Sequence, residues 1–211
     1  MILIGQYDSP FVRRVAVALK LYRHDYEHRP WSTFGDGDKV AHYNPLRRVP
    51  VLVLDDGEVL IESAAILDYL DECAGEAALL PRGGDGRRAA LRICALATGL
   101  CDKMVSLVYE RLLHAAASEV WIGRCETQIS SVLDALERDR AQRSGAFWFG
   151  DQLGHADVAV TCAMRFLAEA HPEIHRLALW PNLAALASAC ENFAVFAAVT
   201  QPFIPPSSSG P

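Results

Sequence analysis

Apolar and polar positions in the first 80 residues alternate between strand-like runs and helix-like stripes. A short apolar run predicts a buried strand over 2–6, and apolar residues at every third or fourth position predict a helix over 10–23. The stretch YEHRPW at 26–31 is typical of a second short strand. Glycine and aspartate at 35–38 mark a turn, after which a short helix is predicted to end near Tyr43.

A hairpin pattern follows at 51–61. Two apolar runs rich in β-branched residues flank the turn signal DDG. Ser63 then fits the N-cap of a helix that continues through Cys73. The predicted order is β-α-β-α-β-β-α, which packs as one layered domain of sheet and helices.

A domain boundary is predicted where one proline and three glycines interrupt the pattern at 78–87. Beyond it only helices are predicted, and the one over 155–170 is apolar nearly all round, so it should lie in the centre of its domain. The other helices are predicted over 87–117, 118–143 and, as shorter pieces, 182–200. The resulting two-domain α+β/α fold has a first domain over 1–77, a linker over 78–87, an all-helical domain over 88–203 and a disordered tail over 204–211.

Charge and composition exclude several classes of partner. The net charge of the 211 residues is −6, and neither half carries a basic surplus, so no nucleic-acid partner is expected. No apolar run approaches the roughly 20 residues that span a bilayer, and the N-terminus lacks a secretory signal pattern, so we expect a cytoplasmic protein without a membrane partner. The six cysteines fit no metal-ligand spacing, which predicts reduced, mostly packed thiols and no metal site.

The stretch NPLRRVPVLVLDDGEVLIES at 44–63 carries the strongest chemical signal. Pro50 precedes a strand, where it is either an ordinary trans proline or a cis proline that turns the Val49 backbone outward for a peptide-like ligand. Ser63 is either a simple N-cap or a donor to a carboxylate at a helix N-terminus. In the second case Glu62 could hold an ammonium group, and the pair would suit an α-amino acid.

A similar choice arises at Ser9. Pro10 fits the first position of a helix, so Ser9 is its expected N-cap. A thiolate held at the same place would be stabilised by the helix dipole and by donors from Ser9. The sequence around Ser9 alone does not separate the two interpretations.

Taken together, the segments SPFVRRV, NPLRRVPVLVLDDG, VLIESAAILDYLDE, LLP and GDQLGHADVAV resemble the glutathione transferase family over almost the whole chain. The resemblance is to bacterial, serine-type, cytosolic members. It implies a thioredoxin-like first domain, an all-helical second domain and a homodimer. It also implies that glutathione is the co-substrate and that its thiol attacks a small hydrophobic electrophile or a peroxide. The alternative is a non-catalytic binding or regulatory protein of the same fold.

The resemblance also implies a role for individual residues. Ser9 matches the catalytic serine, with Tyr7 as the rival, since some classes use a tyrosine there. Pro50 matches a cis proline, and Arg48 could meet the glycyl carboxylate of glutathione. The other implied contacts are the Val49 backbone with the cysteinyl part, Glu62 and Ser63 with the γ-glutamyl group, and Phe11 and Tyr109 with the acceptor pocket, where core packing of Tyr109 is the alternative.

Several positions depart from the family pattern or stay unassigned. Arg47 stands where a glycine is usual, and Gly154 stands where a Ser or Thr usually caps a helix. We expect Asp157 to keep half of that capping box, and serine at 154 to stabilise the fold slightly. Arg13 and Arg14 are equally compatible with a solvated face, a dimer contact or a place near an anionic ligand.

Overall fold

A four-stranded mixed sheet forms the centre of the N-terminal domain. In a computed structural model that describes residues 1–206, the strands lie in the order β2-β1-β3-β4. Strand β1 pairs in parallel with β2 and antiparallel with β3, which forms a hairpin with β4. The strands are β1 (Ile2–Ile4), β2 (Glu27–Arg29), β3 (Val51–Val53) and β4 (Val59–Ile61).

The two central strands, β1 and β3, are buried on both faces of the sheet. Neighbouring positions on a strand point to opposite sides, so the two faces have different neighbours. Leu3 and Leu52 pack against the first and third helices, whereas Ile4 and Val51 pack against Val40 of the second helix. The helices are α1 (Pro10–Leu21), α2 (Gly37–Ala41) and α3 (Ser63–Ala74). This architecture is the predicted thioredoxin-like domain.

The second part of the chain is helical, as predicted. Its helices are α4 (Gly84–Leu113), α5 (Glu119–Ala141), α6 (His155–Ala170), α7 (Pro181–Glu191) and α8 (Ala194–Ala197), with single 3-10 turns at Gly75–Ala77 and Leu177–Leu179. Helix α6 is the central one and packs against α1, α4 and α7. Twelve of its 16 residues are buried, which confirms the prediction from its apolar pattern.

Several boundaries differ from the prediction by a few residues, and three of these differences concern the domain boundary, the candidate site and the tail. Helix α4 already begins at Gly84, inside the segment predicted as a linker. The N-cap of α3 is Glu62 and not Ser63, because Glu62 has a φ of 66° that lies outside the helix, and Ser63 is the first helical residue. The predicted disordered tail begins at 204, yet the Ile204 backbone N–H donates to Asp8 Oδ2 at 3.0 Å. Residues 207–211 lie outside the described part of the chain.

A buried hydrogen-bond cluster joins the two domains at Leu79, where the chain passes from the first domain to the second. The carboxylate of Asp71 in α3 lies 2.8 Å from Nε2 of His155 in α6 and also accepts from the Tyr22 hydroxyl. The Tyr22 oxygen accepts in turn from the Leu79 N–H at 2.7 Å, and the Leu79 carbonyl accepts from the His155 N–H at 3.3 Å. The backbone of Leu79 is therefore held through both its N–H and its carbonyl oxygen.

Helix α6 keeps the predicted half of its capping box. The Gly154 N–H donates to Asp157 Oδ2 at 2.9 Å, and the other carboxylate oxygen accepts from the Trp148 N–H at 2.7 Å. A Cβ at Gly154 would stand 3.0 Å from the Leu79 carbonyl oxygen, which is held by its bond from His155. A serine at 154 would therefore meet the Leu79 backbone, a contact that the expectation of a slight stabilisation did not include.

All six cysteines lie within residues 1–206, the part of the chain that the structure describes. All six cysteines are free thiols, five of them buried and Cys73 exposed, in agreement with packed, reduced residues. None of the helices in this range is long and apolar enough to cross a membrane. The same residues contain no group of three metal-ligating side chains.

Candidate active site

The predicted site residues meet at one edge of the sheet because of the strand register. Ile4, at the end of β1, pairs with Val51, at the start of β3, and Val51 pairs with Ile61, at the end of β4. The loop to Ser9 leaves β1 at this edge, the Val49-Pro50 bond enters β3 there, and Glu62 follows β4 there. Residues more than 50 positions apart are thereby brought to the N-termini of α1 and α3.

Ser9 is the N-cap of α1, as predicted. Its Oγ accepts a hydrogen bond from the Val12 N–H at 3.4 Å, and its own N–H donates to the Gln6 carbonyl at 3.2 Å. Because capping uses the hydroxyl oxygen only as an acceptor, the hydroxyl hydrogen stays available for a second partner. That partner would also lie at the positive end of the helix dipole.

Tyr7, the rival of Ser9, points elsewhere. Its hydroxyl lies 2.9 Å from the Tyr26 hydroxyl, and its ring stacks on His28 with 3.9 Å between centroids. Lys20, in the last turn of α1, stands over the Tyr26 ring, so the tyrosine pair lies toward the opposite end of α1 from Ser9. Burial raises the pKa of the Tyr7 hydroxyl, with the Tyr26 bond opposing it. This geometry favours Ser9.

The Val49-Pro50 peptide bond is cis, as the resemblance implies. Within residues 1–206, neither the N–H nor the C=O of Val49 has a hydrogen-bond partner, so both are free for an extended ligand. The side chain of Asn44 holds this loop, donating to the Arg48 carbonyl at 2.8 Å and accepting from the Leu46 N–H at 3.0 Å. The sequence prediction missed Asn44, although an Asn-Pro pair is a recognisable turn signal.

Gly5 allows the close approach of these segments. Its φ is +126°, and a Cβ there would stand 2.5 Å from Val12 Cγ2 and 2.8 Å from Val49 Cβ. A side chain at this position would push α1 and the cis-proline loop apart. Glycine is therefore needed both for the backbone conformation and for the space.

The N-terminus of α3 can accept an anion. Among residues 1–206 no side chain caps it, so its first N–H groups have no side-chain acceptor there, and the helix dipole adds a positive potential. Glu62 holds the left-handed φ of 66°, which is costly for a residue other than glycine and is typical of functional turns. The Ser63 hydroxyl is buried at the first helical position, 3.5 Å from Arg14 Nη1.

Arg48 lies between Glu62, at the start of α3, and Asp102 of α4. Its guanidinium is 3.6 Å from Glu62 Oε1 and 3.8 Å from Asp102 Oδ1, and its side chain is half-exposed. Burial raises the pKa of the Asp102 carboxyl, and Arg48 opposes this shift. Since exposed pairs at such distances are weak, Arg48 remains free to turn toward a ligand carboxylate.

Arg47 stands where the resemblance implies a glycine, and its backbone has a conformation that glycine favours. Its φ is 52°, a conformation that glycine adopts without strain, and its guanidinium pairs with Asp38 at 2.7 Å.

The two residues predicted to line an acceptor pocket lie on different helices. Tyr109 of α4 is partly exposed and packs edge-on against Phe34, with 5.3 Å between ring centroids. Phe11, in the first turn of α1, is half-buried and packs against the main core. Tyr109 therefore presents part of its ring to solvent, whereas Phe11 contributes mainly to packing.

Arg13 and Arg14 occupy neither a solvated face nor a surface available for a dimer contact. Both side chains are buried, at 2% and 4% exposure. Arg13 is bound to Glu191 of α7, and Arg14 reaches Ser63 at the N-terminus of α3. Their spacing along the chain could not show these partners, because both contacts are made by side chains over long sequence separations.

The C-terminal segment contributes contacts that the sequence prediction missed. Gln201 Oε1 accepts from the Tyr7 N–H at 3.0 Å, and Asp8 Oδ2 accepts from the Ile204 N–H. The segment thus supports the loop that carries Ser9. No local motif marks these residues, since the contacts join positions nearly 200 residues apart.

Comparison with known proteins agrees with this architecture. The family profile described as "Glutathione S-transferase, N-terminal domain" matches residues 3–78, and that described as "Glutathione S-transferase, C-terminal domain" matches residues 119–187. The chain belongs to the glutathione S-transferase family.

Individual members of the family cover most of the chain. The uncharacterized GST-like protein YibF of Escherichia coli is 32% identical over 171 residues, which are 79% of this chain and 82% of YibF. The maleylacetoacetate isomerase of Pseudomonas aeruginosa is 33% identical over 196 residues, which are 84% of this chain and 89% of the isomerase. A glutathione S-transferase of Methylobacterium radiotolerans, solved in complex with glutathione sulfonate, superposes with a TM-score of 0.90 at 30% identity and covers 96% of this chain and 95% of its own.

Proposed function

We propose that the protein is a glutathione transferase that activates the glutathione thiol through Ser9. The observation that carries the proposal is the meeting of two helix N-termini, at Ser9 and Ser63, beside the Val49 backbone, whose N–H and C=O have no partner in the described part of the chain. An extended tripeptide with a thiol in the middle and carboxylates at both ends matches this arrangement. The solved relative with bound glutathione sulfonate supports the same ligand class.

Each part of glutathione has a proposed partner. The γ-glutamyl carboxylate lies at the N-terminus of α3, where Ser63 and the free N–H groups can donate, and Glu62 meets the ammonium group. The cysteinyl part pairs with the backbone of Val49 beside cis Pro50, and Arg48 turns from Glu62 toward the glycyl carboxylate. The thiol then lies at the N-terminus of α1, next to the Ser9 hydroxyl.

Activation of the thiol follows from two effects at the same place. The dipole of α1 stabilises negative charge, and the Ser9 hydroxyl can donate to the thiolate while its oxygen still caps the helix. Both effects lower the thiol pKa and raise the fraction of nucleophile at neutral pH. The thiolate then attacks an electrophilic carbon of the acceptor, forming a thioether as the leaving group departs.

A glutathione-dependent isomerase is the second candidate function. The match to the Pseudomonas aeruginosa maleylacetoacetate isomerase favours it. In that reaction the thiolate would add to a double bond and leave again, so the same thiol activation would serve both chemistries. The opening motif YDSPFVRRV lacks the longer serine-rich pattern of the isomerase class, which favours conjugation.

Two measurements test the proposed function. Calorimetric titration with glutathione should show binding, and a panel of a chloronitrobenzene, an organic peroxide and a cis-maleyl ketoacid should show glutathione-dependent turnover of the first. Turnover of the ketoacid alone would assign the isomerase function, and turnover of the peroxide would add a peroxidase activity. Failure to bind glutathione would contradict the proposal and favour a non-catalytic protein. The homodimer stays a prediction, to be checked by sedimentation.

A further inference from the structure

Asp8, the residue directly before Ser9, carries a negative charge without a counter-ion. Its Oδ2 accepts from the Ile204 N–H at 3.0 Å, and its side chain is partly exposed. Among residues 1–206, no lysine, arginine or histidine lies within ion-pair distance of this carboxylate. Glu169, whose charge also acts on Asp8, is itself paired with Arg165 at 2.6 Å. The described part of the chain therefore leaves the charge of Asp8 uncompensated beside Ser9.

This charge acts on whatever binds next to Ser9. Two like charges about 10 Å apart near a protein surface repel with an energy that changes an equilibrium roughly 10-fold. The hydrogen bond from Ile204 does not require the charge, because the amide oxygen of an asparagine would accept the same N–H. The carboxylate therefore has an electrostatic effect in addition to holding the C-terminal segment.

The carboxylate lies on the acceptor side of Ser9. Burial raises the pKa of the Tyr109 hydroxyl, and the charge of Asp8 adds to this rise, so the two side chains lie near the same space. Tyr109 is the residue predicted to line the acceptor pocket, and its ring packs against Phe34 with 5.3 Å between centroids. Ile204, which donates to Asp8, is 55% exposed. An acceptor that reaches a thiol at Ser9 past Tyr109 therefore approaches the Asp8 carboxylate.

The positive charges near this space have other partners. The face of α4 that carries Tyr109 has no basic residue in the described part of the chain, since helical spacing places on it Asp102, Ser106 and Leu113. Arg111, near the end of the same helix, is bound to Glu126 and Glu173. Arg48 is proposed to meet the glycyl carboxylate of glutathione. An anionic acceptor would therefore be repelled by Asp8 without a compensating cation from these residues.

We propose that Asp8 determines the charge class of the acceptor substrate, so that the site takes neutral or cationic electrophiles and discriminates against carboxylates. The Asp8 carboxylate repels an anionic acceptor as it approaches the thiolate and does not repel a neutral one. This role rests on the proposed function and adds the class of acceptor to it. It also separates the two candidate reactions, because a cis-maleyl ketoacid carries carboxylates and belongs to the disfavoured class.

The test compares two acceptors of nearly the same shape, the neutral para-chloro-meta-nitrobenzamide and the anionic para-chloro-meta-nitrobenzoate. The kcat/KM for conjugation of each is divided by its uncatalysed rate constant with glutathione, and the benzoate value is then divided by the benzamide value. This ratio does not depend on the amount of thiolate, because both acceptors react with the same thiol. We expect a ratio well below one in the wild type and a rise of roughly 10-fold in Asp8→Asn. High salt should raise the wild-type ratio, since it screens charges at a partly exposed site.

Asp8→Asn keeps an oxygen that can accept from Ile204, so the C-terminal segment should stay in place. The control Glu72→Gln removes one negative charge from an exposed position at the opposite end of α3 from Ser63, and it should leave the ratio unchanged. The same ratio in wild type and Asp8→Asn, or a wild-type ratio near one, would overturn the role of Asp8 while the proposed function stands. Conjugation of neither acceptor would overturn the proposed function and the role of Asp8 with it.

Discussion

The guanidinium of Arg13 in α1 binds the carboxylate of Glu191 in α7 through two parallel hydrogen bonds of 2.6 and 2.7 Å. The remaining donors of Arg13 reach the carbonyl oxygens of Val199, at 3.1 Å, and Phe196, at 3.2 Å. Residues 178 positions apart are thereby joined across the two domains. The contact holds α1, which carries Ser9 at its N-terminus, against α7.

Substitution of Arg13 should destabilise the whole protein. Arg13→Met removes the two bonds to Glu191 and leaves the Val199 carbonyl without its donor, so we expect a loss of about 2–4 kcal/mol in the free energy of unfolding. Urea unfolding measures this difference. Glu191→Gln is the matched control, since the amide oxygen still accepts from Arg13, and its loss should be smaller. Equal stability of Arg13→Met and wild type would contradict the structural role of the pair.

Ser9→Ala should lower the rate of glutathione conjugation strongly. The variant loses the donor to the thiolate, and we expect kcat/KM to fall about 10- to 100-fold, as for one hydrogen bond to a charged group. It also loses the cap of α1, at about 1 kcal/mol of stability. Tyr7→Phe is the control, because the Tyr7 hydroxyl is bound to Tyr26. A larger loss in Tyr7→Phe than in Ser9→Ala would exchange the roles of the two residues.

Gly154→Ser should lower the melting temperature, despite the better capping residue. The added Cβ would stand 3.0 Å from the Leu79 carbonyl oxygen, and that carbonyl is held by the His155 N–H. Overpacking against fixed backbone costs about 1–3 kcal/mol, which exceeds the few tenths that separate serine from glycine as an N-cap. Differential scanning calorimetry of the variant measures the sign. A higher melting temperature would contradict this prediction and show that the Leu79 backbone can move away from the added Cβ.

Stability should decrease as the pH falls below about 6.5, the ordinary pKa of histidine. Burial lowers the pKa of His155, although the Asp71 carboxylate opposes the shift. A lowered pKa in the folded state means that the neutral form is favoured there. The contribution of His155 is therefore complete above the unfolded pKa and is lost as the pH falls from about 6.5 toward the folded value, with a slope of up to about 1.4 kcal/mol per pH unit.

The variant His155→Gln isolates this contribution, because glutamine can still donate to Asp71 without titrating. Urea unfolding between pH 5 and 7 should give a flatter dependence in the variant than in the wild type. Some slope should remain, since burial also lowers the pKa of His171. An identical slope in both proteins would remove His155 from the pH response.

Local pattern was sufficient for most of the fold. The sequence pattern predicted each of the strands β1 to β4 and the bounds of α6. For β1, β3 and α6 it did so because these elements bury the apolar faces that the pattern marks. The exact start of α3 was one residue off, since a left-handed Glu62 has no signature in the sequence. Propensities assign the preference of a residue type and not the φ that a functional turn imposes on it.

The candidate site was predictable only through the combination of its parts. Ser9, Pro50 and Ser63 each had an ordinary structural interpretation, and the register that brings them to one sheet edge became visible only with the strands paired. The directions of Tyr7, Arg13 and Arg14 could not be inferred, because side-chain orientation depends on partners that are distant in sequence. The same holds for the contacts of Gln201 and Ile204 with the Ser9 loop.

The thiol pKa of bound glutathione tests the central claim most directly. Thiolate absorbance near 240 nm, followed against pH, reports this pKa in the complex. We expect a value well below that of a free thiol, about 8.5, in the wild type and in Tyr7→Phe, and a clear rise toward the free value in Ser9→Ala. An unshifted pKa in the wild type, or a lowered pKa that Ser9→Ala leaves unchanged, would contradict the activation of the thiol by Ser9.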